Sequence, residues 1–201
     1  MTEQMSVKIA ALPSLRLTVE AHGLMAKKAL GQNFLLDQNI TDKIINLSLQ
    51  KQNKKDFSGA NVFEVGPGPG GLTRAVLAAE PKSLTVVEMD ERCIAIMNEI
   101  KEKTGDILHI INGDAMQTDF SGLAPAPRHI VSNLPYNISV PLLVGWLKNI
   151  NAYDSLTLMF QKEVTERITA PIKTKDYGRI SVLSQLQCRI DHLLDLNPCC
   201  F

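Results

Sequence analysis

The sequence predicts an α/β protein built on a doubly wound, mostly parallel sheet, and two observations carry that reading. Short apolar runs alternate with longer amphipathic stretches through the middle of the chain, the order expected when each strand is followed by a crossover helix. The first of those runs ends in a glycine-rich turn, "GPGPGG", that opens a helix. Such turns occur where ligands sit beyond the carboxyl ends of parallel strands. Composition agrees: of 201 residues, 45% are hydrophobic and 21% charged, which suits one folded domain, or one and a fragment.

Taken in order, residues 1–26 carry a weak amphipathic signal and read as a peripheral arm, residues 27–198 as the main domain, and residues 199–201 as a short tail. A helix is expected from Asp37, whose carboxylate is placed to accept bonds from the free amides of the first turn; Ile40, Ile44, Ile45, Leu47 and Leu49 supply its apolar side. "KQNKKDFSGA" is a polar connection. "NVFEVG", "SLTVVEMD", "ILHIINGD", "RHIVSNLP" and "SLTLMFQ" read as strands. "GLTRAVLAAE", "ERCIAIMNEIKEK" and "SVPLLVGWLKNI" read as the helices between them, "KEVTERITA" and "GRISVLSQLQC" as later helices, and "RIDHLLDLN" as a further strand.

No apolar run approaches the ~20 residues of a membrane-spanning helix, and no secretory leader opens the chain, so the expectation is a cytoplasmic protein away from membranes. Cys93, Cys188, Cys199 and Cys200 form no CxxC pair and the four histidines are scattered, so neither a metal site nor a disulfide framework is expected. Cys93 and Cys188 read as ordinary helix or core thiols. Net charge is zero, but basic residues gather over Lys27–Lys55 and Lys162–Arg189, with acids between them. Charge alone favours solvated helix faces over a nucleic-acid surface.

The chemistry gathers where the apolar runs stop. Gly66, Gly68 and Gly71 satisfy GxGxxG, which in a βαβ setting suggests a dinucleotide. Pro67 and Pro69 lack N–H groups, however, and so remove two donors that a pyrophosphate would want. Glu64 inside the strand suits a ligand with a positively charged amino group. Glu88 ends the second run where an acid binds ribose hydroxyls, with Asp90 as the alternative by position. Asp114 ends the third, where it can accept from an adenine amine. Ribose, adenine and an ammonium group without a phosphate demand describe S-adenosylmethionine.

"SNLPY" ends the fourth run. An exocyclic adenine amine is a poor nucleophile because its lone pair is delocalised. The side-chain oxygen of Asn133 and the carbonyl of Leu134 are suited to accept both amine hydrogens, Pro135 fixes the turn, and Tyr136 can stack on the base for roughly 1–3 kcal/mol. Acceptors and positioning then supply the acceleration without a strong base. The bland reading is a Pro-Tyr turn with Asn133 capping a helix that begins near Val140.

Together "GQNFL", "EVGPGPGGLT", "VVEMD" with "NGDAM", "SNLPYNIS", "FQKEVTERI" and "YGRISVLSQ" resemble the ribosomal small-subunit RNA adenine N6-dimethyltransferase family, in a bacterial form with an arm like "LPSLRLTVEAHGL". The resemblance runs from about residue 12 to residue 198. It implies a Rossmann-like S-adenosylmethionine-dependent methyltransferase fold and dimethylation of two adjacent adenines in a 16S RNA hairpin loop. By it, Asn33, Leu35, Gly66, Gly68, Glu88, Asp114 and Asn133 contact the cofactor, and Asn133, Leu134, Pro135 and Tyr136 form the catalytic motif. Phe34 and Phe160 are implied for the target-base pocket, and the protein is implied to act as a monomer on the small ribosomal subunit. Family members continue past this point with another strand and a helical domain. Residues 189–196 are therefore expected to form an unpaired apolar edge, with Cys199, Cys200 and Phe201 outside the family pattern. The competing readings are another RNA or DNA adenine methyltransferase, a non-catalytic ribosome-assembly factor, and a dinucleotide oxidoreductase.

Overall fold

The computed structural model describes residues 2–24 and 34–197. Five parallel strands, β1 (Asn61–Val65), β2 (Ser83–Glu88), β3 (Leu108–Asn112), β4 (Arg128–Asn133) and β5 (Ser155–Met159), form one sheet in the order β3-β2-β1-β4-β5. The order reverses between β1 and β4. All the strands expected from the apolar runs are present except the last.

Both faces of the central strands are buried, which is why they read as near-continuous apolar runs. Successive side chains alternate between faces. Val62, Leu84 and Val86 enter one core with Ile44, Ile45 and Leu49 of α3 (Gln38–Lys51), Leu72 and Val76 of α4 (Gly71–Ala78), and Ile96 and Met97 of α5 (Glu91–Thr104). Phe63, Val65, Val87 and Ile130 enter the other, with Leu142 and Trp146 of α7 (Tyr136–Leu147) and Phe120 of the short α6 (Phe120–Leu123). Phe120 meets Phe63 and Trp146 edge-on, at centroid distances of 5.8 and 6.0 Å. Each fully buried aromatic or aliphatic side chain contributes about 1.5–3 kcal/mol relative to exposure. Asp37 caps α3 as expected, its Oδ1 accepting from the Asn39 amide at 2.9 Å.

The N-terminal arm is two short helices, α1 (Thr2–Ala10) and α2 (Leu15–Ala21), laid against the main domain. Leu15, Val19 and Leu24 are buried. The Arg74 guanidinium, itself buried in α4, donates to the Pro13 carbonyl at 2.6 Å and the Thr18 hydroxyl at 3.3 Å. Two helices this short, parted by Pro13, never repeat a stripe often enough to read as amphipathic from sequence.

Two expectations need correction. Residues 189–197 are not a strand. An apolar segment becomes a strand only beside ladder partners, and here it turns to the end of α3, where Lys51 Nζ pairs with Asp191 at 3.2 Å and Arg189 donates to the Lys51 carbonyl. Leu194 and Leu196 pack onto the first core, so no apolar strand edge forms there. In addition, α7 starts at Tyr136 with Pro135 in the capping position, not near Val140. Sequence rules place Pro141 in a first turn because proline lacks a donor; here the helix runs a turn further upstream and accommodates Pro141 inside. Beyond these, α8 (Lys162–Thr169) and α9 (Arg179–Gln187) match expectation.

At the amino ends of the strands, His129 is fully buried on β4, its Nδ1 2.7 Å from Ser155 Oγ and its Nε2 3.0 Å from Lys54 Nζ. An ammonium can only donate, so Nε2 accepts and the ring is neutral. Burial, and secondarily the Lys54 charge, push its pKa down to about 4. The unfolded chain therefore binds this proton more readily. The stability contributed by His129 is complete above about pH 6.5 and lost as pH falls through 4. Thermal melts are expected to drop more steeply between those pH values for the native chain than for His129→Gln. Equal slopes would overturn the assignment.

Candidate nucleoside and methyl-transfer site

The β1–β4 ladder pairs only Asn61–Phe63 with Arg128–Ile130, so the two strands part toward their carboxyl ends. Ser132, buried on β4, bridges the opening by donating to the Val65 carbonyl at 2.7 Å. A hydroxyl buried in a strand needs an acceptor, and this one fixes Asn133 against the end of β1. The cleft beyond is lined by Glu64, Gly66, Asn133, Leu35 and Phe34. It lies at the switch point of the strand order, where open α/β sheets bind their ligands.

Along the same edge, strand order brings the sequence-predicted site residues into line: Asp114 after β3, Glu88 ending β2, Gly66 after β1, Asn133 ending β4. Gly66 has φ 64°, and a Cβ there would sit 3.4 Å from Pro135 Cγ, so glycine allows the first turn to meet the "NLPY" turn. The Gly66 amide is already donated to the Val87 carbonyl and that of Gly70 to Pro67. With Pro67 and Pro69 lacking N–H groups, the turn has few donors left for a pyrophosphate. This weighs against the dinucleotide reading.

Glu88 is 9% exposed, and its Oε1 accepts from the amides of Met89 at 2.7 Å and Asp90 at 2.9 Å. Asp90 caps α5 through the Arg92 amide and also pairs with the Arg92 guanidinium, so both of its carboxylate oxygens are engaged. Asp114 caps a single 3-10 turn, accepting from the Met116 amide at 2.8 Å. Leu134 is buried and Tyr136 half-buried at the start of α7. Asn33 lies outside the described residues. Phe34 rests against Gly68, where a Cβ would come within 2.7 Å of its ring, whereas Phe160 follows β5 and packs on the α7 side. The structure thus joins Phe34 to the glycine turn and gives Phe160 a core contact.

Sequence reasoning missed Thr73. Its hydroxyl donates to Glu64 Oε2 at 2.7 Å from the first turn of α4. The signal available was a hydroxyl residue just inside the helix that follows a strand carrying a buried acid. Glu64 is 1% exposed. Burial pushes its pKa up to about 8, opposed by the Thr73 bond and reinforced by the Glu88 carboxylate.

These residues fit S-adenosylmethionine in kind: a buried acid lining the cleft that suits an amine, a second that suits ribose, a third that suits adenine, and a turn poor in phosphate donors. The cleft measures only about 20 Å³ with Phe34 on Gly68, room for about one water. A nucleoside binding there would have to displace that ring. A wider hollow of about 460 Å³ lies over the amino-terminal side of β1 and β2, between Lys82, His109 and Pro125, away from every strand-end group described here. Among the described residues no His, Cys, Asp and Glu cluster could hold a metal ion, and no helix is long and apolar enough to cross a membrane. Cys93 is buried on α5, and burial pushes its thiol up to about 12.

The chain is 44% identical over 190 residues to ribosomal RNA small subunit methyltransferase A of Rhodospirillum rubrum, covering 94% of this chain and 64% of that protein. To the protein of the same name from Gluconobacter oxydans it is 48% identical over 191 residues, covering 95% and 61%. It thus spans less than two thirds of the length of either relative. A crystal structure of a dimethyladenosine transferase from Plasmodium falciparum superposes with a TM-score of 0.72 at 29% identity, over 84% of this chain and 58% of that one. Residues 23–201 match the profile of the ribosomal RNA adenine dimethylase family. With that match running over most of its length, and with relatives of this identity, the chain belongs to the ribosomal RNA adenine dimethylase family.

Proposed function

We propose that the chain is the catalytic part of an S-adenosylmethionine-dependent enzyme that dimethylates the N6 amines of two adjacent adenines in a 16S RNA hairpin loop, acting in the cytoplasm as a monomer on the small ribosomal subunit. One observation carries the reading: an amide–proline–tyrosine turn stands at the switch point, in line with three acids on neighbouring strand ends. When bound, S-adenosylmethionine supplies a methyl group on a sulfonium. Glu64, Glu88 and Asp114 would hold its amine, ribose and adenine, with Leu35, Gly66 and Gly68 forming the wall. Asn133 would accept one N6 hydrogen through its side-chain oxygen and the Leu134 carbonyl the other, drawing the lone pair out of the ring. Pro135 holds that carbonyl's direction, and Tyr136 would stack on a base taken out of its loop. Unpaired loop adenines suit such a pocket because they leave their stack at low cost.

The test is incubation with labelled S-adenosylmethionine and small-subunit particles lacking the modification. Digestion should yield labelled N6-dimethyladenosine from 16S RNA. Its absence, alongside product from the Rhodospirillum rubrum relative, would overturn the reading for this chain.

A further inference from the structure

Glu64 is a carboxyl group in an awkward place. It is almost fully buried on β1, yet it lines the cleft at the switch point. From α4 it receives the Thr73 hydroxyl, which also approaches Met97 Sδ of α5 at 3.8 Å. From β4 the Asn133 amide shares the cleft, and Phe34 and Leu35 close it with apolar surface. Among the described residues, the charge acting on it comes from Glu88 at the end of the neighbouring β2, another carboxylate, and adds to the larger effect of burial. A carboxylate buried to this degree, with no cation paired to it among the described residues, is strongly unfavourable, and a proton relieves the cost.

We propose that Glu64 holds a proton while the cleft is empty and releases it to solvent when the ammonium of the ligand's amino-acid part arrives. Capture of the cofactor is thereby tied to proton release, and nucleosides without that ammonium are discriminated against. The inference rests on the reading of this cleft as an S-adenosylmethionine site. The O–H bond of Glu64 breaks, its proton passes to water, and a carboxylate–ammonium pair takes its place, so the buried charge stays balanced before and after. The raised pKa of about 8 agrees with a neutral acid in the empty protein at pH 7. A neutral ligand such as 5′-methylthioadenosine gives Glu64 no reason to ionise.

Isothermal titration calorimetry with S-adenosylhomocysteine, run at pH 7 in phosphate and in Tris, reads the proton directly. About one proton released per ligand is expected, with affinity weakening about tenfold per pH unit below pH 7. Titration with 5′-methylthioadenosine should show neither effect. Glu64→Gln should abolish both for S-adenosylhomocysteine while binding 5′-methylthioadenosine within about twofold of the native chain, since one neutral amide then replaces one neutral acid. S-adenosylhomocysteine binding with the same enthalpy in both buffers would overturn the proposal, and that comparison needs no variant. Undiminished proton release in Glu64→Gln would overturn it as well. Failure of both ligands to bind the intact chain is a different outcome: it removes the cofactor reading, and this inference with it.

Discussion

Asn133→Ala is expected to slow single-turnover methylation by about 10²–10³-fold while weakening S-adenosylhomocysteine binding only about fivefold. The two magnitudes come from different states of the reaction. A hydrogen bond to a bound ground-state ligand contributes about 1 kcal/mol net, because water replaces it when it is lost. A preorganised partner aimed at charge that develops only in the transition state is worth more, commonly about 2.7–4 kcal/mol. Asn133 ends β4 partly exposed, and its ladder with Met159 runs through backbone atoms, so truncation opens no cavity. The melting temperature should therefore move by the equivalent of less than about 1 kcal/mol. Equal losses in binding and rate would make Asn133 a cofactor contact alone, and an unchanged rate would remove it from the transfer step.

Much of this site was legible because it depends on where apolar runs end, and the ends of buried parallel strands are sharp in sequence. Glu64, Glu88, Asp114 and Asn133 could be placed on one edge from the βα alternation alone, and the sheet order brings those strands side by side. What stayed hidden depends on contacts distant in sequence. Thr73 meets Glu64 only because α4 packs over β1, and Ser132 reaches Val65 only because β1 and β4 separate. Arg74 fixes the arm through backbone and hydroxyl oxygens of residues 13 and 18, which leave no periodic trace. Residues 189–197 have strand-like composition, yet their polar groups and side chains engage the end of α3 and the first core instead. The early start of α7 depends on the same turn that presents Asn133 and Leu134. There, the Ile138 amide donates to the Pro135 carbonyl and the Ser139 hydroxyl to that of Tyr136.

Gly71→Val should unseat the cofactor wall and the fold together. Gly71 opens α4, where a Cβ would stand 2.8 Å from the Leu35 carbonyl oxygen and 3.1 Å from Leu15 Cδ1. The first of these neighbours is backbone and cannot turn aside. Leu35 is buried, and the Gln38 side chain ties the first turn of α3 to the Gly71 carbonyl at 3.3 Å, so the segment has little room to retreat. Two further methyl groups on a β-branched side chain deepen the overlap, and overpacking of this kind costs about 3 kcal/mol. For a chain of this length that lowers the melting temperature by about 6–12 °C. Leu35, which lines the cleft, is the residue struck, so S-adenosylhomocysteine affinity should fall more than about tenfold, as expected when a preformed pocket wall is displaced. Gly145→Ala supplies the opposite sign: Gly145 lies exposed inside α7 with nothing within 4 Å of a new Cβ. Removing backbone freedom from the unfolded chain there should stabilise by about 0.5–1 kcal/mol. If Gly71→Val melts like the native chain, the close approach of Leu35 to the glycine turn is not what holds this edge together.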